Sequence, residues 1–264
     1  MERITVDDMK KIQLDILQSF VNYCEKNKLE YFLAAGTAIG AVRHRGFIPW
    51  DDDIDVMMPR NSYNKFLAEY INENYEVFDC WRREDYYYPF AKLVDKHTLL
   101  KEKTKVPTSF GVYIDIFPID VIPDSKVGML LLKLKRNLID FKITTKVTIN
   151  RNRSKWKKIC LWLGRLFFKK ERLIDCVREM DSLYKKYADK SSLYMYCISF
   201  FFMSRKPMLK EIYSDYILCS FEGIQCRLPV GNDILLKSIY GDYMKLPPME
   251  KRIYKHDVEA FKIV

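Results

Sequence analysis

Gly36-Thr37-Ala38-Ile39-Gly40-Ala41-Val42-Arg43-His44-Arg45-Gly46-Phe47-Ile48-Pro49-Trp50-Asp51-Asp52-Asp53-Ile54-Asp55-Val56 is the stretch that decides the reading of this chain. It sets the carboxylates of Asp51, Asp52, Asp53 and Asp55 close together downstream of a small-residue turn. Like charges this close repel, and hard divalent cations bound through carboxylate oxygens are their natural partner. On an extended strand, side chains alternate faces. Asp53 and Asp55 are therefore expected on one face with Ile54 turned into the core, and Asp51 extends the row. Upstream, Tyr31 to Ala34 reads as a short strand that runs into Gly36-Thr37 and a helix over Ala38 to Arg43. Small residues ahead of a helix let backbone N–H groups approach a phosphate, so Gly36 and Thr37 are phosphate-contact candidates.

A carboxylate pair needs further oxygen ligands, and Asp115 in Gly111-Val112-Tyr113-Ile114-Asp115-Ile116-Phe117-Pro118 is the candidate third. It is a single acid on a β-branched and aromatic run that reads as a buried strand. Burying a carboxylate is costly without a partner. The alternatives are a solvated acidic turn for residues 51–55 and a structural salt bridge for Asp115. Arg43, His44 and Arg45 lie beside the acidic run and can pair with phosphates or with the carboxylates themselves.

These residues resemble the LicD family of phosphocholine and polyol-phosphate transferases. The likeness rests on the long block from Gly36 to Asp55, on Tyr113 to Asp120, and on Tyr240-Gly241-Asp242-Tyr243-Met244 with Pro247-Pro248, in that order. The resemblance implies a nucleotidyltransferase-type fold related to fukutin-like enzymes. It also implies transfer of a phospho-alcohol from a cytidine diphosphate carrier to a hydroxyl of a glycan precursor: teichoic acid, lipopolysaccharide or capsule. Lys92 falls on a strand-like run that follows the family pattern, and Arg252 and His256 lie behind the last motif, where they would close over the site and contact phosphate. Asp53, Asp55 and Asp115 would then hold Mg²⁺ or Mn²⁺ against the donor diphosphate, with Asp115 the preferred base. The competing readings are a nucleotidyltransferase acting on a small molecule and a catalytically inactive scaffold for glycan synthesis.

At 264 residues the chain can bury a sizeable core in one domain, with room for an inserted subdomain. Alternating helix and strand signals predict a mixed α+β fold, a mixed sheet flanked by helices. The expected division is a catalytic core over 1–125, a basic helical region over 126–190 and a helical part over 191–264 that completes the site. Without an apolar h-region near Met1, a cytoplasmic protein is expected, working at the inner face of the membrane. Seven cysteines, an odd number with no Cys-x-x-Cys pair, read as reduced core thiols.

The net charge of +10 is concentrated in residues 126–172, where fifteen Lys or Arg face only Asp140 and Glu171. Such a block faces polyanions. Within it, Trp156, Ile159, Cys160, Leu163, Leu166 and Phe167 form one helical stripe with lysines off it, too short and too charged to span a bilayer. The stripe fits either an anionic membrane surface or the protein's own core. No nucleic-acid module accompanies Arg151, Arg153, Lys155, Lys157 and Lys158, and no nucleic-acid partner is expected. The expected partners are a CDP-alcohol donor and a glycan acceptor, carried on a lipid if the stripe meets a membrane.

Overall fold

The structure, a computed structural model, describes residues 1–102, 109–148, 154–188, 190–197, 208–253 and 258–263. After β1 (Glu2–Ile4), Thr5 caps α1 (Val6–Lys26): its hydroxyl accepts from the Asp8 amide and the Asp8 carboxylate accepts from the Thr5 amide. Met9, Ile16, Leu17, Phe20, Val21 and Cys24 make the buried face of α1, as the 3–4 spacing predicts. Next come β2 (Phe32–Leu33), α2 (Ala35–His44), β3 (Asp55–Pro59), α3 (Arg60–Glu69), β4 (Tyr75–Phe78), β5 (Ala91–Asp95), β6 (Thr98–Glu102) and β7 (Tyr113–Val121).

The central sheet has the order β2-β3-β7-β5-β4. Only the β3–β7 pairing is parallel; the rest are antiparallel. The sheet is mixed and flanked by helices, so the fold is α+β. β7 runs through Pro118, two residues beyond the last position that pairs with β5. A proline cannot donate to a ladder, and Pro118 sits where this costs nothing. On that edge β5 pairs with residues 113–116, and β8 (Tyr194–Cys197), which also pairs with β9 (Met208–Leu209), takes over only at Ile119.

The basic segment folds as α4 (Lys126–Val147), α5 (Lys155–Phe167) and α6 (Leu173–Lys185). α5 lies close against α4 at Gly164, where a Cβ would fall 2.7 Å from the side chains of Phe141 and Thr145. Arg165 bonds the carbonyls of Thr145 and Thr148 at the end of α4. Leu161 and Gly164 are thus the buried side of α5, and Trp156, Ile159, Cys160, Leu163, Leu166 and Phe167 are all exposed. The stripe does not pack on the protein's own core. Among the described residues no helix is long and apolar enough to cross a membrane.

A buried ion network ties these helices to the sheet. Arg60, at the start of α3, grips Asp120 of β7 with two hydrogen bonds of 2.6 and 2.7 Å and donates to Asp181 of α6 at 2.9 Å. Asp181 also accepts from the Trp81 indole at 2.6 Å and pairs with Lys185. Burial alone would raise the Asp181 carboxyl, but Arg60, Lys185 and Trp81 outweigh it and hold it below its usual value.

The last third of the chain is woven back into the first. The hairpin of β10 (Tyr216–Phe221) and β11 (Ile224–Pro229) turns at Glu222 and Gly223, both with positive φ. Its tip holds the loop before the acidic run, since the Glu222 amide donates to the Arg45 carbonyl and the Glu222 carboxylate accepts from the Phe47 amide. After α7 (Asn232–Tyr240), which ends at Gly241, β12 (Val258–Lys262) inserts between β1 and β6.

Candidate active site

The register of the sheet builds the site. Asp55, the first residue of β3, lies opposite Asp115 in the parallel β3–β7 pairing, and Asp115 lies opposite Lys92 in the antiparallel β7–β5 pairing. Asp55, Asp115 and Lys92 therefore form one row across three adjacent strands. The Asp115 amide donates to the Ile54 carbonyl at 2.9 Å, and Ile54 is in the core, as the alternation predicts. Asp53 sits in the non-strand segment just ahead of β3.

Asp51, Asp52 and Asp53 bring one carboxylate oxygen each to within 4.8 Å of one another. Strand alternation would have turned Asp52 away from its neighbours. The ladder starts only at Asp55, so the three residues curl together instead, and Asp52 joins a group the sequence pattern had not given it. Burial pushes the Asp55 carboxyl well above the ordinary value, and the charges of Asp53, Asp115 and Asp51 push it further, with Lys92 opposing them. These carboxylates form one electrostatic unit. A divalent cation would offset such crowding, and Asp51, Asp53, Asp55 and Asp115, with Asp52 in the same group, are the residues that could hold it.

Lys92 is only 2% exposed, and its ammonium donates to Asp115 at 2.5 Å. It lies 3.4 Å from the centroid of the Tyr113 ring and 4.8 Å from that of Tyr88, with Phe90 and Phe110 further out. The aromatic cage on this side of the row is filled by the lysine itself. Lys92 thus meets Asp115 directly.

α2 begins at Ala35, three residues earlier than the sequence suggests, so Gly36 and Thr37 form its first turn. A Cβ on Gly36 would lie 2.3 Å from an Asp51 carboxylate oxygen. The missing side chain lets that carboxylate sit against the positive end of the helix. Buried Thr37 uses its hydroxyl to accept from the Asp55 amide at 2.8 Å, fixing the first residue of β3. From the other side, Gln13 of α1 donates to the carbonyls of Asp52 and Tyr113, bracing the acidic segment against β7.

A basic corner borders this site. Arg43 donates to His44 at 2.9 Å and to the Tyr243 carbonyl at 2.6 Å, and burial, helped by the charge of Arg252, lowers its guanidinium. The Arg252 guanidinium lies 5.3 Å from the centroid of Trp50, the residue before Asp51, and the His44 ring meets the same indole edge-on. Burial, helped by Arg43, lowers the His44 imidazole. Candidates more than two hundred residues apart in sequence therefore converge. Arg45 does not join them: it ends α2 at φ 58 and is exposed. His256 lies outside the described residues. Tyr240 of α7 is half-buried, and its phenol is raised by that burial and further by the charges of Asp55, Asp51 and Asp53, which puts it within electrostatic reach of the acids. In the sequence it opens the Tyr240-Gly241-Asp242-Tyr243-Met244 block of the family likeness, which assigned it no role at the acids.

Comparison with known proteins identifies the family. Residues 28–146, which include the acidic run, Lys92 and Asp115, match the family described as LicD/FKTN/FKRP, nucleotidyltransferase domain. The chain is 32% identical over 272 aligned residues, 99% of each chain, to the lipopolysaccharide cholinephosphotransferase LicD of Haemophilus influenzae. Shorter matches join it to uncharacterized proteins of Rickettsia typhi (36% over 56 residues, 21% of this chain and 18% of that one) and Rickettsia prowazekii (55% over 31 residues, 12% of each). With its catalytic-type core matched and its whole length aligned, the chain belongs to the LicD family.

Proposed function

We propose that the protein transfers phosphocholine from CDP-choline to a hydroxyl of a lipopolysaccharide-type glycan. What carries this reading is the Asp55–Asp115–Lys92 row in a chain similar along its whole length to a cholinephosphotransferase. In the reaction, the acceptor oxygen forms a bond to the phosphorus that bears choline, and the bond from that phosphorus to the bridging oxygen breaks. The electron pair leaves with CMP, and the hydroxyl proton passes to a carboxylate. Asp55, opposite Asp115 in the register, is the candidate to receive it, since Asp115 has an oxygen taken by Lys92. A divalent cation, Mg²⁺ or Mn²⁺, held by the carboxylates would supply positive charge for the donor diphosphate. Arg43 and Arg252, on the basic corner beside Trp50, would orient the nucleotide phosphates.

CMP release from CDP-choline in the presence of the glycan measures the reaction. The expected result is release that stops with EDTA and falls at least about a hundredfold in Asp55→Asn and Asp115→Asn. Rates near wild type in either variant contradict the site, and a preference for CDP-ribitol or CDP-glycerol contradicts the donor.

A further inference from the structure

We infer that α5 is a membrane-docking helix that lays its apolar side into the surface of an anionic lipid bilayer. This binding property stands apart from the transfer chemistry. Trp156, Trp162 and Phe167 are 75%, 63% and 79% exposed, and Ile159, Leu163 and Leu166 beside them are exposed as well. A surface that apolar on one short helix marks a contact site. The side of α5 that faces the protein is the small one, Leu161 and Gly164 against α4. α4 adds exposed Leu130, Leu131, Leu134 and Leu138 to the same helical layer.

The charge around this face selects the occupant. α5 contains no acid, and exposed Lys155, Lys157 and Lys158 crowd its first turn, with exposed Lys169 and Lys170 just past its end. Cations at a helix N-terminus oppose the helix dipole. Their placement there is unfavourable until an anion offsets it, and lipid phosphates do so while the indole rings and leucines enter the acyl boundary. A second copy of this chain would bring the same lysines against one another.

The test uses the full-length protein with vesicles of phosphatidylcholine alone and with phosphatidylglycerol added. Sedimentation at least about tenfold stronger with the anionic vesicles is expected. A blue shift of tryptophan emission should accompany it and be lost in Trp156→Phe/Trp162→Phe. Phe167→Glu, which removes an apolar contact, and Lys157→Glu/Lys158→Glu, which removes the charge, should each abolish the sedimentation; circular dichroism and the thermal midpoint establish that they fold. If one variant unfolds, the other and the wild-type emission shift decide. Wild-type protein that stays in the supernatant, sediments equally with both vesicles, or sediments undiminished in a folded variant overturns the inference. So does a wild-type dimer in sedimentation velocity that Phe167→Glu converts to a monomer.

Discussion

Gly36 and Asp55 show how single residues set up the site. Gly36 is needed because an added methyl would meet the Asp51 carboxylate at 2.3 Å, on a helical backbone that alanine readily adopts. Gly36→Ala should therefore keep the fold and its thermal midpoint within a few degrees while weakening Mg²⁺ binding by about tenfold or more, measured by calorimetric titration. Unchanged affinity would place Asp51 outside the cation's reach. Asp55 carries a second prediction. Its carboxyl is raised in the folded state by burial and by Asp53, Asp115 and Asp51, so its protonated form is the one folding favours. That contribution is fully present below the ordinary carboxylate pKa and is lost as pH rises through the folded value. In metal-free buffer, Asp55→Asn should raise the unfolding free energy at pH 7 and the gain should vanish toward pH 4, as read from denaturant titrations at both pH values. A loss at pH 7 would contradict it.

Pairing between elements places the chemistry, and here the sequence is only partly legible. Alternation around Ile54 and the buried run around Asp115 put Asp53, Asp55 and Asp115 on strands; the ladder bears this out for Asp55 and Asp115, whereas Asp53 lies just ahead of β3. Lys92 could be placed on a strand too, but no periodicity could show that it lies opposite Asp115. Such a contact depends on register between segments more than twenty residues apart. The same limit hid the Arg60–Asp120–Asp181 network, whose members belong to three elements. Its removal has a definite consequence. Arg60→Met leaves buried Asp120 without its cation and Asp181 with Lys185 alone, and a loss of about 3–5 kcal/mol in unfolding free energy is expected from denaturant titration. A loss below about 1 kcal/mol would mean that Lys185 and bound water suffice to hold the acids.

For the whole molecule, the pattern of helix and strand over the first 125 residues gave the mixed sheet, since local spacing records which side chains face the core. What closes the fold was not visible. Glu2 pairs with Lys262, and Val258 with Glu102, contacts that only the folded chain brings together. The hairpin tip at Glu222 and Gly223 braces a loop some 175 residues upstream. The basic corner likewise brings residues far apart in sequence, His44 and Arg252, onto one tryptophan, Trp50. Under the proposed function, a donor would span the acid row and this corner. Calorimetric titration of CDP-choline into the protein, with and without Mg²⁺, tests that account most directly. It predicts binding that requires Mg²⁺, exceeds that of CDP-ribitol, CDP-glycerol and CTP, and disappears in Asp53→Asn. CDP-choline binding of equal strength without the metal, or undiminished in that variant, would contradict it.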